Sequence, residues 1–378
     1  RQSIHLLKEL RQKELNTILE SELKKMEVGD DVLKSATDMY LKYRLFDELD
    51  ILFLKKRTRK YDANLQLKMD AFDDYYLTIK LREVCEMLNR NAIYDKKYNI
   101  GLIGLLNNVL SSTNIKTYHP LTQLYYATYQ MLEENSKASF KHLLRLLDKH
   151  QDSIEKTEVR ELYIHAQNFC TRKINQGEAD YFIEVFEIYK RLIESNLVLS
   201  NGKIPHTTFK NIVTTALNSN AKDWAKNFIE EYKNLLDSDV KQSAYNYNLA
   251  KYEYEVGNID TAVKLLQSVD YEDNYYKIDA RYLLLKIYYE TNEHDSLLYQ
   301  IDSFKLYLRR NNNFNIKTRE LIITFLKILR KTAILKNRKP YLSKEDFDIR
   351  RQKLNEQFLN TQNIPYRKWM ESIIQNLN

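Results

Sequence analysis

The chain has 378 residues and a formal net charge of +7, and it contains only 6 Gly and 4 Pro. Average proteins contain about 7% Gly and about 5% Pro, and folds built on β-sheets use both residues in their turns. The composition therefore predicts an all-α protein and argues against an enzyme that binds phosphate through a glycine-rich loop.

Residues 1–60 predict N-terminal helices, which we expect to continue into a region upstream of Arg1 because the chain does not open on Met. Residues 1–26 carry an apolar stripe at helical spacing that stops before Gly29. Residues 31–60 contain two short apolar stretches, which indicate a helical hairpin that ends in the basic run 55–60.

Residues 61–310 predict a series of helix pairs separated by short polar breaks. Pro120 suits the first turn of its helix, because the N–H that it lacks would have no partner there. The helices predicted ahead of the clearest repeat are Ala63–Asn89, Ile100–Leu110, His119–Leu132, Ala138–Lys149, Thr157–Ile174, Asp180–Glu194, Thr207–Leu217 and Asp223–Leu236.

The stretch Ala244–Ile301 repeats itself at a spacing of 35 residues. Gly257 is expected to end the first helix of one unit in a left-handed turn, and Asn292 takes its place in the next unit. The other repeated positions are Tyr247 and Tyr282, Leu249 and Leu284, Lys251 and Lys286, and Tyr254 and Tyr289. A period of about 34 residues with two helices per unit is typical of tetratricopeptide repeats. We therefore predict a right-handed α-solenoid of tetratricopeptide-like helix hairpins.

The unit resembles the tetratricopeptide motif at Leu249, Ala250, Gly257 and Ala262, but it has Asn246 at an aromatic position and lacks the terminal Pro. Stretches between about Leu65 and Arg330 are similar to an uncharacterised family of bacterial helical-repeat proteins. These stretches are Leu81–Arg90, Arg172–Gly177, Asn211–Thr214, Ala244–Ala250 and Ser303–Asn311. The resemblance implies a cytoplasmic scaffold and brings no activity, cofactor or catalytic residue with it.

In each unit, two tyrosines and one lysine at spacings of four and three share one face of a helix. One hypothesis is that these side chains line a concave groove that binds a peptide or partner protein, with the lysines facing an acidic group. The alternative is that the tyrosines pack between repeats and the lysines face solvent. The six residues, called the Tyr/Lys ladder below, are Tyr247, Lys251, Tyr254, Tyr282, Lys286 and Tyr289.

Residues 311–378 predict basic capping helices near 316–335, 343–359 and 366–377, with a polar loop at 336–340. Ser343 suits the N-cap of the second helix. Residues 301–378 contain 17 Lys or Arg against 7 Asp or Glu, which favours a solvated end cap or a docking patch for an acidic protein. Interleaved tyrosines make single-stranded nucleic acid the alternative ligand. The predicted basic patch consists of Arg309, Arg310, Lys327, Arg330, Lys331, Arg338 and Lys339.

The sequence contains no motif that is typical of a catalytic site. The seven His residues show no metal-ligand spacing, and the chain has no phosphate loop or nucleophile elbow. We therefore predict a non-enzymatic protein without a metal or cofactor. Cys85 and Cys170 lie in apolar helical patterns, which favours buried free thiols. No apolar run reaches the ~18–20 residues that span a membrane, so we expect a cytoplasmic location.

Overall fold

The computed structural model describes residues 33–55, 61–92, 97–112, 114–269, 274–311, 316–361 and 364–377. Sixteen α-helices and no β-strand occur within these ranges, which confirms the all-α prediction. The helix predicted over residues 1–26 and most of the basic run 55–60 lie outside the described residues. The chain divides into two compact units, residues 1–198 and residues 199–378, and each is described by itself.

The described part of the first unit contains seven helices that pack mainly on their neighbours along the chain. The helices are α1 (Ala36–Lys55), α2 (Ala63–Asn91), α3 (Ile103–Ser112), α4 (Pro120–Glu134), α5 (Lys137–His150), α6 (Lys156–Asn175) and α7 (Tyr181–Glu194). Helix α1 packs against α2, α4 packs against α2, α5 and α6, and α6 packs against α7. Pro120 occupies the first turn of α4, as predicted.

The hairpin predicted over residues 31–60 is wrong, because α1 runs without a break through both apolar stretches. No Gly or Pro interrupts residues 36–55, and nothing in this stretch ends a helix. Met39, Leu45 and Leu52 are all buried along its length, so the two stretches are successive turns of one helix.

The described part of the second unit contains nine helices arranged as consecutive hairpins. The helices are α8 (His206–Asn218), α9 (Lys222–Tyr232), α10 (Ser238–Glu255), α11 (Ile259–Gln267), α12 (Asn274–Glu290), α13 (His294–Arg310), α14 (Ile316–Arg338), α15 (Lys344–Leu359) and α16 (Arg367–Gln375). Each helix from α8 to α14 packs against the next, and α10 also packs against α8 and α12.

The two clear repeats form the hairpins α10–α11 and α12–α13, and the turns inside them correspond. Gly257 has φ +90° and Asn292 has φ +61°, so both first helices end in the left-handed conformation that was predicted. Ala262 and its counterpart Leu297 are both buried in the second helix of their hairpins. The repeat in the sequence is therefore a repeat of helix, turn and helix in space.

The polar loop predicted at residues 336–340 is mostly helix. Helix α14 continues to Arg338, and a single 3₁₀ turn from Lys339 to Tyr341 then connects it to α15. Basic residues in the last turn stabilise a helix C-terminus, because they face its partial negative charge. The Ser343 side chain accepts a hydrogen bond from the Asp346 N–H, which confirms the predicted N-cap of α15.

Candidate functional site

The Tyr/Lys ladder is largely buried in the second unit. The rings of Tyr247, Tyr282 and Tyr289 are only 4–6% exposed. Lys251, Tyr254 and Lys286 are half-buried. The expectation that these tyrosine rings lie open along a groove is therefore wrong for three of the four.

The three ladder residues of α10 reach across to the neighbouring helices α8 and α12. The ring centroid of Tyr247 lies 5.3 Å from that of Tyr276 on α12. The Lys251 ammonium donates to Thr214 Oγ1 on α8 at 2.8 Å. The hydroxyl of Tyr254 donates to the carboxylate of Glu290 on α12.

The ladder residues of α12 have a second set of neighbours. The Lys286 ammonium lies 5.0 Å from the centre of the Tyr254 ring. The Tyr282 and Tyr289 rings face the C-terminal helix, with ring centroids 5.0 Å from Tyr366 and 5.7 Å from Trp369 respectively. The Tyr247 and Tyr254 contacts join the two repeats, as the inter-repeat alternative expected, whereas Tyr282 and Tyr289 pack on the C-terminal helix.

The number of neighbours around α10 explains this outcome. Helix α10 packs against α8, α9, α11 and α12, so several of its faces are covered at once. Helical spacing places Tyr245, Leu249, Tyr252 and Val256 on one face, yet Val256 is 37% exposed, whereas Ala244 and Ala250 on other faces are fully buried. Spacing identifies residues that share a face, but it does not tell how many faces are buried.

Lys251 is the one ladder residue whose charge is strongly perturbed. Burial lowers the pKa of its ammonium to about 8, and the nearby Lys210 and Lys286 act in the same direction, against Asp279 and Glu255. Lys210 itself pairs with Asp279, with 2.6 Å between Nζ and Oδ2. Lys251 therefore contributes a costly charge to the packing between α8 and α10, and does not face solvent as either hypothesis assumed.

The seven residues of the predicted basic patch have three different environments. Arg309, Arg310 and Lys327 are exposed. Two others contact neighbouring side chains: Arg330 pairs with Asp302, and Lys339 lies over the Phe347 ring. The remaining two, Lys331 and Arg338, line a groove together with residues of the next helix.

This groove runs between α14 and α15 and has a volume of about 500 Å³; we call it the α14/α15 groove. Each helix contributes four residues spaced i, i+3, i+4 and i+7, which place them on one face. The Lys331 ammonium donates to Gln357 Oε1 at 2.7 Å and so joins the two walls. The lining residues are Lys331, Ile334, Leu335 and Arg338 on α14, and Arg350, Lys353, Leu354 and Gln357 on α15.

The chemistry of the α14/α15 groove is an apolar floor with a basic rim. Leu335 and Leu354 are buried at its base, and Ile334 is half-buried beside them. Four cations surround these side chains, and the lining contains no Asp or Glu. An amphipathic segment with carboxylates beside its apolar residues matches this arrangement.

Two members of the rim, Arg350 and Lys353, were not part of the predicted patch. A signal for them was present in the sequence. Lys331 is followed by an apolar residue at i+3 and i+4, and Arg350 is followed at i+3 and i+4 by Lys353 and Leu354. Two consecutive helices that each carry a basic residue at i and a leucine at i+4 predict a shared basic groove once the helices form a hairpin.

The described residues contain no group of three or more His, Cys, Asp or Glu placed to hold a metal ion. Burial lowers the pKa of His165 to about 4, and this neutral ring forms a hydrogen bond with Asn89. Cys85 and Cys170 are buried free thiols, as predicted. Burial raises the pKa of Cys170 to about 12, so its reactive thiolate is disfavoured.

In the part of the chain that the structure describes, no helix is long and apolar enough to cross a membrane. Comparison with protein-family models, with curated proteins and with solved structures finds no match to this chain. The resemblance to a bacterial helical-repeat family therefore stays a prediction. Function is inferred from the contacts and charges of the described residues.

Proposed function

We propose that the chain is a non-enzymatic scaffold that binds an acidic amphipathic helix of a partner protein in the α14/α15 groove. The observation that carries the proposal is the groove itself, in which four cations surround an apolar floor. The consecutive hairpins of the second unit support a right-handed solenoid of tetratricopeptide type as its frame. The two buried free thiols are compatible with a reducing cytoplasm.

The shape of the groove favours a helix over an extended strand. Its walls are two helix faces, and no described strand edge is available for backbone pairing. A helix lying in such a groove inserts residues at i, i+3, i+4 and i+7, the same spacing that the walls present. The apolar residues of the ligand would bury surface against Ile334, Leu335 and Leu354.

The basic rim adds specificity to this apolar contact. Charges at the rim of an interface mainly steer association and reject partners of like charge. Carboxylates of the ligand would meet Lys331 and Arg338 on one side and Arg350 and Lys353 on the other. The same rim would repel a basic helix of equal hydrophobicity.

The proposal is tested with the full chain and a fluorescein-labelled peptide of about 18 residues. Leu residues follow helical spacing along one face of this peptide, and Glu residues occupy the positions beside them. The chain should bind this peptide, as measured by fluorescence anisotropy. Lys331→Glu combined with Lys353→Glu places one repulsive charge on each wall and should weaken binding by about tenfold or more. Lys203→Glu combined with Lys264→Glu changes the net charge equally at exposed sites outside the groove and should leave binding unchanged.

An oligo-dT of matched length distinguishes the nucleic-acid alternative. The logarithm of the affinity for phosphates falls steeply and linearly with the logarithm of the salt concentration, because binding releases counterions. Apolar binding of the Leu/Glu peptide should persist at salt concentrations that release the oligonucleotide. Tighter binding of oligo-dT than of the peptide, lost in the Lys331→Glu and Lys353→Glu chain, would reject the peptide assignment.

A further inference from the structure

The two ends of the α14/α15 groove differ in chemistry. At one end the Lys331 ammonium donates to Gln357 Oε1 at 2.7 Å, so the two walls are in direct contact there. Because α14 and α15 form a hairpin, a step forward along α14 corresponds to a step backward along α15. Seven residues away from this contact, Arg338 on α14 and Arg350 on α15 therefore reach the same level, about 10.5 Å nearer the turn of the hairpin. Seven residues are close to two helical turns, so both arginines stay on the faces that line the groove.

Arg338 and Arg350 thus lie opposite each other near the turn of the hairpin; we call this part of the groove the arginine end. Both side chains are exposed, and neither forms an ion pair with a described residue. Asp346, one turn before Arg350, accepts the hydroxyl hydrogen of Ser343 at 2.8 Å, and the groove lining contains no Asp or Glu. Two like charges that face each other repel, and a bound anion would relieve this repulsion.

The residue type at the arginine end favours a phosphate over a carboxylate. A guanidinium is a planar fork that donates to two oxygens of one anion. A phosphorylated side chain carries a charge of about −1.5 to −2 at pH 7 and three acceptor oxygens, so it can accept from two arginines at once. A Glu carboxylate has two oxygens and a single charge, and one guanidinium already satisfies both oxygens. Two opposed arginines therefore match a phosphorylated residue better than they match Glu.

The electrostatics of the ligand helix set its direction in the groove. A phosphate is stabilising in the first turn of a helix, where it faces the free N–H groups and the partial positive charge. A ligand with its first turn at the arginine end places its phosphate between Arg338 and Arg350. Its apolar residues then follow along the floor, and the ligand runs in the same direction as α15.

We infer, on the basis of the proposed function, that the partner helix carries a phosphoserine in its first turn and that Arg338 and Arg350 bind its phosphate at the arginine end of the α14/α15 groove. The apolar floor binds the remainder of the helix. Phosphorylation of the partner therefore strengthens the complex, and the arginine end is the part of the chain that responds to it.

The test compares two forms of the Leu/Glu peptide with the full chain by fluorescence anisotropy. One form carries Glu and the other carries phosphoserine at the same rim position of the first turn. Wild type should bind the phosphoserine peptide about tenfold more tightly, because the phosphate accepts additional charge-assisted hydrogen bonds.

A double variant that carries both Arg338→Lys and Arg350→Lys keeps the charge of the arginine end and removes its planar donors. Its affinity for the Glu peptide should stay within about twofold of wild type, because the charge is unchanged. The gain from phosphoserine should fall to about threefold or less, the part that comes from stabilising the ligand helix itself. Arg309→Lys combined with Arg310→Lys is the matched control at exposed sites outside the groove, and it should keep the full gain.

The possible failures are distinguishable. Equal affinity of wild type for the two peptides would overturn the phosphate assignment and leave the proposed function intact. An equal gain in wild type and in the Arg338→Lys and Arg350→Lys chain would arise from the ligand helix alone and would also overturn it. Failure to bind either peptide would reject the groove as a helix-binding site, and the phosphate assignment with it.

Vesicles of phosphatidylcholine and phosphatidic acid distinguish a lipid phosphate from a phosphoserine. The chain should bind the phosphoserine peptide more tightly than these vesicles. Tighter binding to the vesicles, lost in the Arg338→Lys and Arg350→Lys chain, would assign the arginine end to a lipid headgroup and would overturn its assignment to a partner protein.

Discussion

Individual side chains in the second unit show how burial decides the role of a residue. Tyr247 and Tyr299 are both tyrosines on neighbouring hairpins, but Tyr247 is 4% exposed and Tyr299 is 77% exposed. The first fills space between α10 and α12, whereas the second points largely into solvent. The sequence pattern did not separate these two situations, because tyrosine is amphipathic and occurs in both.

Tyr247→Ala should therefore lower the free energy of unfolding by about 3 kcal/mol or more, the range for large-to-small changes in a core. Tyr299→Ala is the matched control and should stay within about 0.5 kcal/mol of wild type. Urea denaturation followed by circular dichroism measures both. Equal effects of the two substitutions would show that the Tyr247 ring is not part of the core.

Lys251 should make the stability of the second unit depend on pH, and the sign of this dependence can be predicted. Its folded pKa of about 8 is lower than the ordinary lysine value of 10.5, so the unfolded chain binds more protons between these values. Stability should rise with pH in this window, and the cost of the buried charge should be fully present below pH 8. Lys251→Met should remove this contribution. The difference in the free energy of unfolding between Lys251→Met and wild type should shrink from pH 7.5 to pH 9.5, and a constant difference would contradict the assigned burial.

At the scale of helices and turns, backbone conformation distinguishes a glycine that the fold requires from one that it does not. Gly257 ends α10 at φ +90°, whereas Gly104 lies inside α3 in ordinary helical conformation. A Cβ at either position would meet no atom within 4 Å, so backbone conformation is the factor that differs.

Gly257→Ala should destabilise the chain by about 1 kcal/mol, because L-residues are strained in the left-handed region. Gly104→Ala should instead stabilise it by about 0.5–1 kcal/mol, because Ala loses less backbone entropy in a helix. Thermal unfolding of the two variants measures these opposite signs. A stabilising effect of Gly257→Ala would mean that the turn after α10 has a different conformation.

The elements were more predictable from the sequence than their surroundings. Helical periodicity and the scarcity of Gly and Pro located α2, α4 and α7 to within a few residues, and the turns at Gly257 and Asn292 followed from their residue types. Which side of α10 faces outward could not be derived, because it depends on how many helices surround it. The cover over Tyr282 and Tyr289 was equally hidden, since α16 lies about 80 residues further along the chain and returns only in the folded state.

At the scale of the whole chain, a basic excess in residues 301–378 was visible in the sequence, but its organisation was not. Folding pairs Arg330 with Asp302 and brings Lys331 and Arg338 to Arg350 and Lys353 around an apolar floor. Some of the basic residues thus form contacts within the chain, and others are available to a ligand. Only the available residues should determine which partner the chain selects.

Reversing the charge of the groove and the charge of its ligand tests this claim most directly. Two peptides of equal length and apolar pattern are compared, one of Leu and Glu and one of Leu and Lys. The affinity of each peptide is measured for wild type and for the double variant that carries both Lys331→Glu and Lys353→Glu. Wild type should prefer the Leu/Glu peptide, and the variant should lose that preference or reverse it in favour of the Leu/Lys peptide. An unchanged preference for Leu/Glu in the variant would contradict the assignment of the α14/α15 groove as the binding site.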